Sequence, residues 1–286
     1  MLIAFLIAIA EAIAFFLVVM AIDCHRFVVR EYVCESDKLH KNGKIVMLSD
    51  LHNKSFGKNN EKLMEAIDNE APDMIVIAGD MYTSEKGEDN SKTAEFVCRL
   101  AKKYPVYYGN GNHEHKTKVN TDVFGDIYQS YAMRLKQAGV VMLENERITL
   151  PAYNMDIYGI EIDREYYGKF KKLTMPVSYP EELLGKTLKE RFTLLIAHNP
   201  DYFETYVKWG ADLTVSGHIH GGLMILPLLG GVIAPSLRLF PKYDGGEFNE
   251  GNSTMILGRG LGTHTLPIRI FNPGELVVIR LRQKVD

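Results

Sequence analysis

The sequence has little cysteine and no excess of basic charge. Its 286 residues include three cysteines, Cys24, Cys34 and Cys98, without the spacing of a disulfide framework or a cysteine-based metal site. We therefore expect free thiols in a reducing compartment. The formal net charge is −3 and no long basic run occurs, so nothing in the sequence indicates a nucleic-acid-binding surface.

The sequence also lacks internal repeats and linker-like segments. It is 46% hydrophobic and 24% charged, which allows a sizeable core and disfavours disorder. A chain of this length forms one large α/β domain or two small ones. Because no linker interrupts it, we predict an N-terminal anchor at 1–22, a connecting segment with the first strand at 23–43 and one domain at 44–286. We expect a monomer.

The N-terminal segment, residues 1–22, is apolar apart from Glu11. About 20 such residues suffice to cross a bilayer as a helix. A cleaved signal peptide is disfavoured because no Lys or Arg precedes the apolar run and no Ala-x-Ala site follows it. A buried core helix of this length is a third interpretation. Glu11 counts against the membrane interpretation, because a carboxyl in mid-bilayer is costly unless protonated or paired. We predict an uncleaved, single-pass anchor in the cell membrane.

The distribution of basic residues predicts the orientation of this anchor. None precedes it, and the first ones that follow are Arg26, Arg30, Lys38, Lys41 and Lys44. By the positive-inside rule, the large domain should lie on the cytoplasmic face.

Apolar runs alternate with helical patterns in the first half of the domain. Such runs, separated by amphipathic helices, are typical of strands buried on both faces in βαβ units. The predicted strands are Lys44 to Leu48, Met74 to Ala78, Pro105 to Tyr108 and Val140 to Leu143, and the predicted helices are Asn59 to Asn69, Asn90 to Lys103 and Asp122 to Ala138.

Shorter runs in the second half indicate a second sheet. Residues 161–190 are mixed and charged, and we predict a surface insertion there with a helix near Glu181 to Glu190. The predicted strands are Arg147 to Leu150, Met155 to Ile160, Phe192 to Ala197, Asp212 to Val215 and strand-like segments from Ser253 onward.

Ligating side chains follow five of the predicted strands. They are Asp50 and His52; Asp80; Asn112 and His113; His198; and His218 and His220. Each alone could be a helix cap, a turn residue or a core histidine, but function collects at the C-terminal ends of parallel strands. Carboxylate, imidazole and amide ligands without cysteine suit Mn, Fe, Zn or Ni. Even without His113, seven ligands exceed the needs of one ion, and two ions about 3.5–4 Å apart are a recurring device for phosphoester hydrolysis.

The order of these motifs resembles the signature of the calcineurin-like metallophosphoesterase superfamily. The matching pieces are Asp50-x-His52, Gly79-Asp80, Gly111-Asn112-His113-Glu114, His198 and Gly217-His218-x-His220. The tail, with Gly221-Gly222, Pro227, Gly258-Arg259-Gly260-Leu261-Gly262 and Pro267-Ile268-Arg269, resembles the membrane-anchored bacterial branch. The resemblance implies an α/β fold, a four-layer α/β/β/α sandwich of two mixed β-sheets flanked by helices, with a dinuclear site at one edge.

The resemblance also implies a role for each residue. Two divalent ions, with Mn favoured, would be held by Asp50, His52 and His220 (first ion) and by Asn112, His198 and His218 (second ion), with Asp80 bridging them. His113 would protonate the leaving oxygen or stabilise charge beside the scissile group. A hydroxide bridging the ions would attack phosphorus in line.

Two departures from the family pattern bear on substrate preference. Met81 follows Asp80 where many relatives carry an acidic residue, and Leu223 stands where the anchored branch often has Gln. The apolar segment from Leu223 to Phe240 fits either core strands with a loop or an apolar lip that meets the bilayer. Arg259 fits either a phosphate contact or a structural role at a turn.

These patterns predict a metal-dependent hydrolase of phosphodiester or pyrophosphate bonds. A lipid-linked phosphoester is one substrate class that fits this prediction. A nucleotide, a lipid intermediate and a wall precursor all fit this prediction. The alternative is a catalytically silent binding scaffold at the membrane. We expect a scaffold to have lost ligands, whereas here every ligand position is filled.

Overall fold

The computed structural model describes residues 1–168, 173–222, 224–226, 230–232, 240–263 and 267–284. The helices in these ranges are α1 (Leu2–Asp23), α2 (Glu61–Glu70), α3 (Ser91–Ala101), α4 (Asn112–Val119), α5 (Thr121–Phe124), α6 (Ile127–Gln137), α7 (Tyr179–Leu184) and α8 (Phe203–Trp209). Short 3₁₀ helices span Lys58–Asn60, Pro151–Tyr153, Arg164–Tyr167 and Pro200–Tyr202.

The strands are β1 (Phe27–Ser36), β2 (Gly43–Leu48), β3 (Met74–Ala78), β4 (Val106–Gly109), β5 (Val141–Met142), β6 (Glu146–Leu150), β7 (Met155–Ile160), β8 (Phe192–Ala197), β9 (Leu213–Ser216), β10 (Ile225–Leu226), β11 (Gly230–Gly231), β12 (Gly246–Glu250), β13 (Ser253–Leu257) and β14 (Gly274–Gln283).

Two six-stranded sheets and a two-stranded antiparallel sheet of β10 and β11 contain these strands. The first sheet has the order β1-β14-β2-β3-β4-β5, and the second has the order β12-β13-β9-β8-β7-β6. Strands β2 to β5 are parallel, as are β7, β8, β9 and β13, while β14 runs antiparallel to β2. Both sheets are therefore mixed, as predicted.

Successive side chains of a strand point to opposite faces of the sheet, so each strand contributes side chains to the two layers on either side of it. Val46 and Leu48 of β2 pack in a cluster with α2, α3 and α6, whereas Ile45 and Met47 pack in the cluster between the two sheets. On the outer face of the second sheet, Leu195 packs with residues of α8. Helices, two sheets and helices form four layers, which confirms the predicted α/β/β/α sandwich.

The predicted bounds of two helices were wrong. The pattern from Asp122 to Ala138 predicted one helix, but the chain forms α5 and α6, with Gly125 between them at φ +62°. The helix predicted near Glu181 to Glu190 is α7, which ends at Gly185 with φ +75°. A glycine in this conformation ends a helix readily because it carries no Cβ.

Two helices were not predicted. Helix α4 begins at Asn112, inside the Gly111-Asn112-His113-Glu114 motif, and it was not predicted because Asn and His are weak helix formers. The short α8 was also missed. Most of the apolar segment from Leu223 to Phe240 lies outside the described residues, as do residues 169–172 of the predicted insertion, so the apolar lip stays a prediction.

The apolar helix α1 is long enough to cross a membrane by length and composition, and its apolar window is unburied. That exposure argues against a core helix. Strand β1 follows α1 and is parallel to β14, which is antiparallel to β2. The start of β1 therefore lies at the same edge of the sheet as the C-terminal ends of β2, β3 and β4.

Candidate metal centre

The structure brings the predicted ligands together at one edge of the sandwich. They follow β2, β3 and β4 of the first sheet and β8 and β9 of the second. Three sets have ligand atoms that all lie within 4.8 Å of one another: Asp50, His52 and His220; His52, Asp80 and His113; and Asp80, His198 and His218. The sets overlap, so the described side chains form one continuous cluster.

Five of these residues adopt a backbone conformation that non-glycine residues rarely adopt. Their φ angles lie between +48° and +73°. They are Asp50, His52, Asp80, His218 and His220. Such strain costs about 1–3 kcal/mol per residue and persists where the surrounding structure holds it for function. Its concentration at the strand ends marks this edge as the functional site.

The motif glycines allow backbone to approach the two carboxylates. A Cβ atom at Gly111 would overlap Oδ1 of Asp80, and one at Gly217 would overlap Oδ2 of Asp50. The close approach lets the main-chain N–H of His113 donate to Asp80 Oδ1 at 2.8 Å. Gly111 and Gly217 are therefore required, because any side chain at either position would collide with a carboxylate.

The imidazoles are oriented for ligation. Nδ1 of His198 lies 2.6 Å from the carbonyl oxygen of Ala78, which can only accept, so Nδ1 carries the proton. Nε2, which lies 3.0 Å from Asp80 Oδ2, is then the nitrogen that offers its lone pair to a cation once its own proton is displaced. A carbonyl oxygen that accepts from the other ring nitrogen commonly fixes the tautomer of a metal-bound histidine.

Two further histidines converge beside the other carboxylate. The Nε2 atoms of His52 and His220 lie 3.1 Å apart, and they are 4.0 Å and 3.3 Å from Asp50 Oδ1. Asp50 is fully buried. Two imidazole nitrogens and a carboxylate oxygen in such proximity fit one divalent cation.

His113 has a different orientation. Its Nδ1 accepts a hydrogen bond from the main-chain N–H of Ser84 at 2.7 Å. In the neutral ring the proton is therefore on Nε2. The His113 ring lies 4.9 Å from the His52 ring, nearly perpendicular to it. A ring that carries its proton on Nε2 at the rim of the cluster is suited to donate a hydrogen bond.

The buried charges of the cluster compensate one another. Burial raises the pKa of Asp50 to about 6, whereas for Asp80 the effect of burial is outweighed by His198 and His113, which lower its pKa. Burial disfavours charged His198, but Asp80 and Asp50 raise its pKa to about 10. A cation that binds here displaces this proton and takes over its role.

Asn112 provides an independent test of whether the site fits a divalent metal ion. Its Oδ1 is buried and has no hydrogen-bond partner among the described residues. An unpaired buried acceptor is costly, and an amide oxygen is a suitable cation ligand. The donor set, the strained backbone and this acceptor all fit a divalent metal site.

Glu114 is a site residue whose role the sequence did not reveal, although it stands in a recognised motif. The fully buried carboxylate accepts hydrogen bonds from the N–H groups of Asp80, Met81 and Gly111 and from the Tyr108 hydroxyl, at 2.7–3.0 Å. Burial, reinforced by Asp80, raises the pKa of Glu114 to about 7. Glu114 thus ties the loop after β3 to the loop after β4.

Tyr167 is a second residue that the sequence did not reveal. Its ring lies 5.2 Å from the His218 ring and 6.3 Å from the His198 ring. The short helix Arg164–Tyr167 brings it there from the region interpreted as a surface insertion. No local pattern distinguished this tyrosine from its neighbours.

Arg259 contacts a buried carboxylate of the protein itself, which favours the structural role over a phosphate contact. Its Nε lies 3.8 Å from the buried carboxylate of Glu275. The neighbouring Arg269 is 2% exposed and donates to main-chain carbonyls, among them those of Gly260 and Asn272. These arginines hold the segment that passes beneath Asp50, where Gly262 N–H donates to the Asp50 carbonyl.

Comparison with known proteins identifies the class of this site. The profile of the calcineurin-like phosphoesterase family matches residues 43–222. The chain belongs to this family. Its site is accordingly the divalent metal site of a phosphohydrolase family.

Individual relatives match most of the chain. An uncharacterised metallophosphoesterase of Campylobacter jejuni is 30% identical over 258 residues. The alignment covers 87% of this chain and 62% of that relative's length. The UDP-2,3-diacylglucosamine pyrophosphatase LpxG of Chlamydia muridarum is 26% identical, with 83% of each chain covered. The solved structure of TT1561 from Thermus thermophilus aligns with a TM-score of 0.48 and 14% identity, over 76% of this chain and 89% of that one.

Proposed function

We propose that this protein hydrolyses phosphodiester or pyrophosphate bonds with two divalent ions, Mn being favoured. The observation that supports this most directly is the convergence of five strand ends on overlapping ligand sets, which are linked to one another through His52 and Asp80. One ion would be held by Asp50, His52 and His220, and the other by Asn112, His198 and His218, with Asp80 between them.

The chain's own residues have distinct tasks in this reaction. When bound, the ions would polarise the phosphoryl oxygens and activate water for attack. Asp80 holds His198 through its carboxylate and receives the N–H of His113. His113 directs Nε2–H at the leaving oxygen, because Ser84 occupies Nδ1. A positioned donor of this type contributes about 10²–10⁴-fold to rate.

We propose a lipid-linked pyrophosphate or phosphodiester as the substrate. Two observations support it: the apolar helix α1 and the similarity to LpxG, whose name states a diacylated sugar-nucleotide substrate. In this proposal α1 anchors the chain in the membrane. In this proposal the catalytic domain lies on the cytoplasmic face, which the basic residues after α1 favour by the positive-inside rule.

The decisive experiment compares wild type, Asp80→Ala and the surface control Asp122→Ala as full chains in detergent. Each is stripped of metal and assayed on a bis-aryl phosphodiester and the matching monoester, with Mn added back. We expect Mn-dependent diester cleavage by wild type and the control. Asp80→Ala should lose at least about 100-fold, because replacing even a residue that only supports a metal ligand costs about 10–100-fold.

Other outcomes discriminate between the candidate functions. Cleavage of the monoester alone would contradict diester hydrolysis and indicate a phosphatase. Folded wild-type protein that binds Mn but turns over neither ester, nor a lipid pyrophosphate, would favour the binding scaffold.

A further inference from the structure

The described surface carries an exposed aromatic residue beside α1. Phe271 is 40% exposed, and its ring centroid lies 6.3 Å from that of Phe15 and 6.2 Å from that of Phe16, both in α1. Its φ is +54°, in the left-handed region. For a bulky residue this is an outlier that signals strain retained for a purpose.

The position of these contacts along α1 sets a depth for the ring. Helix α1 has 22 residues and is about 33 Å long at 1.5 Å per residue, close to the hydrocarbon thickness of about 30 Å. Phe16 precedes Asp23, the last residue of α1, by seven residues, or about 10 Å along the axis. If α1 spans a bilayer and leaves it near Asp23, a ring that contacts Phe16 lies among the acyl chains.

The loop that carries Phe271 is joined directly to the end of α1. The main-chain N–H of Asn272 donates to Asp23 Oδ2 at 3.0 Å, and Cys24 Sγ donates to the Pro267 carbonyl at 3.3 Å. Lys54, two residues after the predicted ligand His52, donates to the Cys24 carbonyl at 2.5 Å. These bonds fix the ring relative to the helix.

The same loop reaches the metal centre. The side chain of Asn272 donates to the main-chain carbonyls of His220 and Gly222, each at 2.7 Å. The residue next to the exposed ring therefore contacts the main chain of a predicted ligand. Because β1 starts at this same edge, topology and local contacts give the same placement.

We propose that Phe271 inserts into the bilayer beside α1, forming a second membrane contact that holds the metal centre at the lipid surface. The substrate class that this placement favours is a phosphoester carried by an amphiphile of the same leaflet. The inference rests on the proposed function for both the anchor and the reaction, and it adds the residue that orients the site toward lipid.

Tryptophan fluorescence tests the insertion without any need for turnover. Trp209 is the only tryptophan and is 8% exposed, so Trp209→Phe provides a background for Phe271→Trp. Met133→Trp is the matched control: Met133 is 57% exposed on α6, which leads to β5 at the opposite edge of the first sheet from β1.

Each full chain is reconstituted in phosphatidylcholine vesicles with or without brominated acyl chains. We expect brominated lipid to quench the fluorescence of the Phe271→Trp probe and aqueous iodide to leave that fluorescence unchanged. For Met133→Trp we expect iodide to quench the fluorescence and brominated lipid to leave it unchanged. Quenching of both probes by iodide alone would overturn the membrane contact.

An activity ratio tests the substrate class. For Phe271→Ser, the ratio of kcat/KM on a vesicle-borne lipid pyrophosphate to that on a soluble bis-aryl phosphodiester should fall about tenfold, the effect of removing a phenylalanine ring from an apolar contact. Phe271→Leu should restore most of the ratio, and Met133→Ser should preserve it. An unchanged ratio in Phe271→Ser would overturn the lipid-surface placement.

The two proposals fail separately. An inactive protein whose Phe271→Trp probe is quenched by bromolipid would refute the hydrolase and support the membrane contact. An active protein whose probe is quenched by iodide would refute the membrane contact alone.

Discussion

The side chain of Asn272 donates a hydrogen bond to the main-chain carbonyl of His220 at 2.7 Å. The main-chain N–H of the same asparagine donates to Asp23, the last residue of α1, at 3.0 Å. His220 is in the left-handed conformation, with φ +56°. One residue thus joins the end of the apolar helix to a strained turn that carries a predicted ligand.

Replacing Asn272 with alanine should weaken metal binding. Asn272→Ala removes the bond that supports the His220 turn but leaves every ligand in place, so we expect Mn affinity to fall about 10–100-fold, as for other supporting contacts of metal ligands. Calorimetric titration of Mn measures this. Asn249→Ala, at an exposed position on β12, is the control. Equal affinity in both variants would contradict the role of Asn272.

His113→Gln should slow hydrolysis without loss of metal. We expect kcat to fall about 10²–10⁴-fold, because the variant lacks the donor aimed at the leaving oxygen. The deficit should grow with the basicity of the leaving group, since poorer leaving groups depend more on protonation. Rates on a series of aryl diesters, with metal content measured in parallel, test this. The same dependence on leaving group in wild type and variant would exclude the role.

Glu114→Gln should destabilise the fold. An amide nitrogen in place of either carboxylate oxygen would face two donors, and leaving buried donors unsatisfied costs about 1–3 kcal/mol. The thermal midpoint should fall by several degrees, at about 2–4 °C per kcal/mol for a domain of this size. Glu95→Gln, exposed on α3, should leave the midpoint in place. An unchanged midpoint in Glu114→Gln would show that the four bonds are dispensable.

Glu161 predicts a pH dependence of stability. Burial opposes its charge, but His115, Asn110 and Lys118 lower its pKa to about 2 from an unfolded value of 4.5. A lowered folded pKa stabilises the fold above pH 4.5, and this stabilisation is lost as the pH falls toward 2. The shift corresponds to roughly 3 kcal/mol.

The comparison of wild type with Glu161→Gln isolates this contribution. The difference in unfolding free energy, from urea titrations, should be largest at neutral pH and shrink steadily below pH 4.5. A difference that is independent of pH would mean that the ion pairs of Glu161 contribute nothing to the fold.

Much of the fold could be predicted because its strands are buried on both faces. Met74–Ala78 and Phe192–Ala197 form strands with the predicted bounds, since continuous apolar runs with polar residues after them leave little choice. The ligands follow strands whose parallel ends must meet at one edge. Local pattern therefore predicted both the strands and the proximity of the site residues.

Other features have no local signal. Tyr167 lies beside His198 and His218 only because a distant short helix folds over the second sheet. Glu114 was visible in its motif, but its four donors come from the loop after β3, from Tyr108 in β4 and from the loop after β4. Gly125 divides α5 from α6 within a pattern that otherwise predicted one helix.

The sequence by itself determined the apolar helix, the strand order along the chain and the residue types available to hold metal. Only the tertiary structure decided that the helix joins the sandwich at the metal edge, through the parallel pairing of β1 with β14. It also decided that Asn272 meets both Asp23 and His220. Periodicity reports which face of an element is buried, whereas the pairing of segments hundreds of residues apart depends on how the complete core is buried.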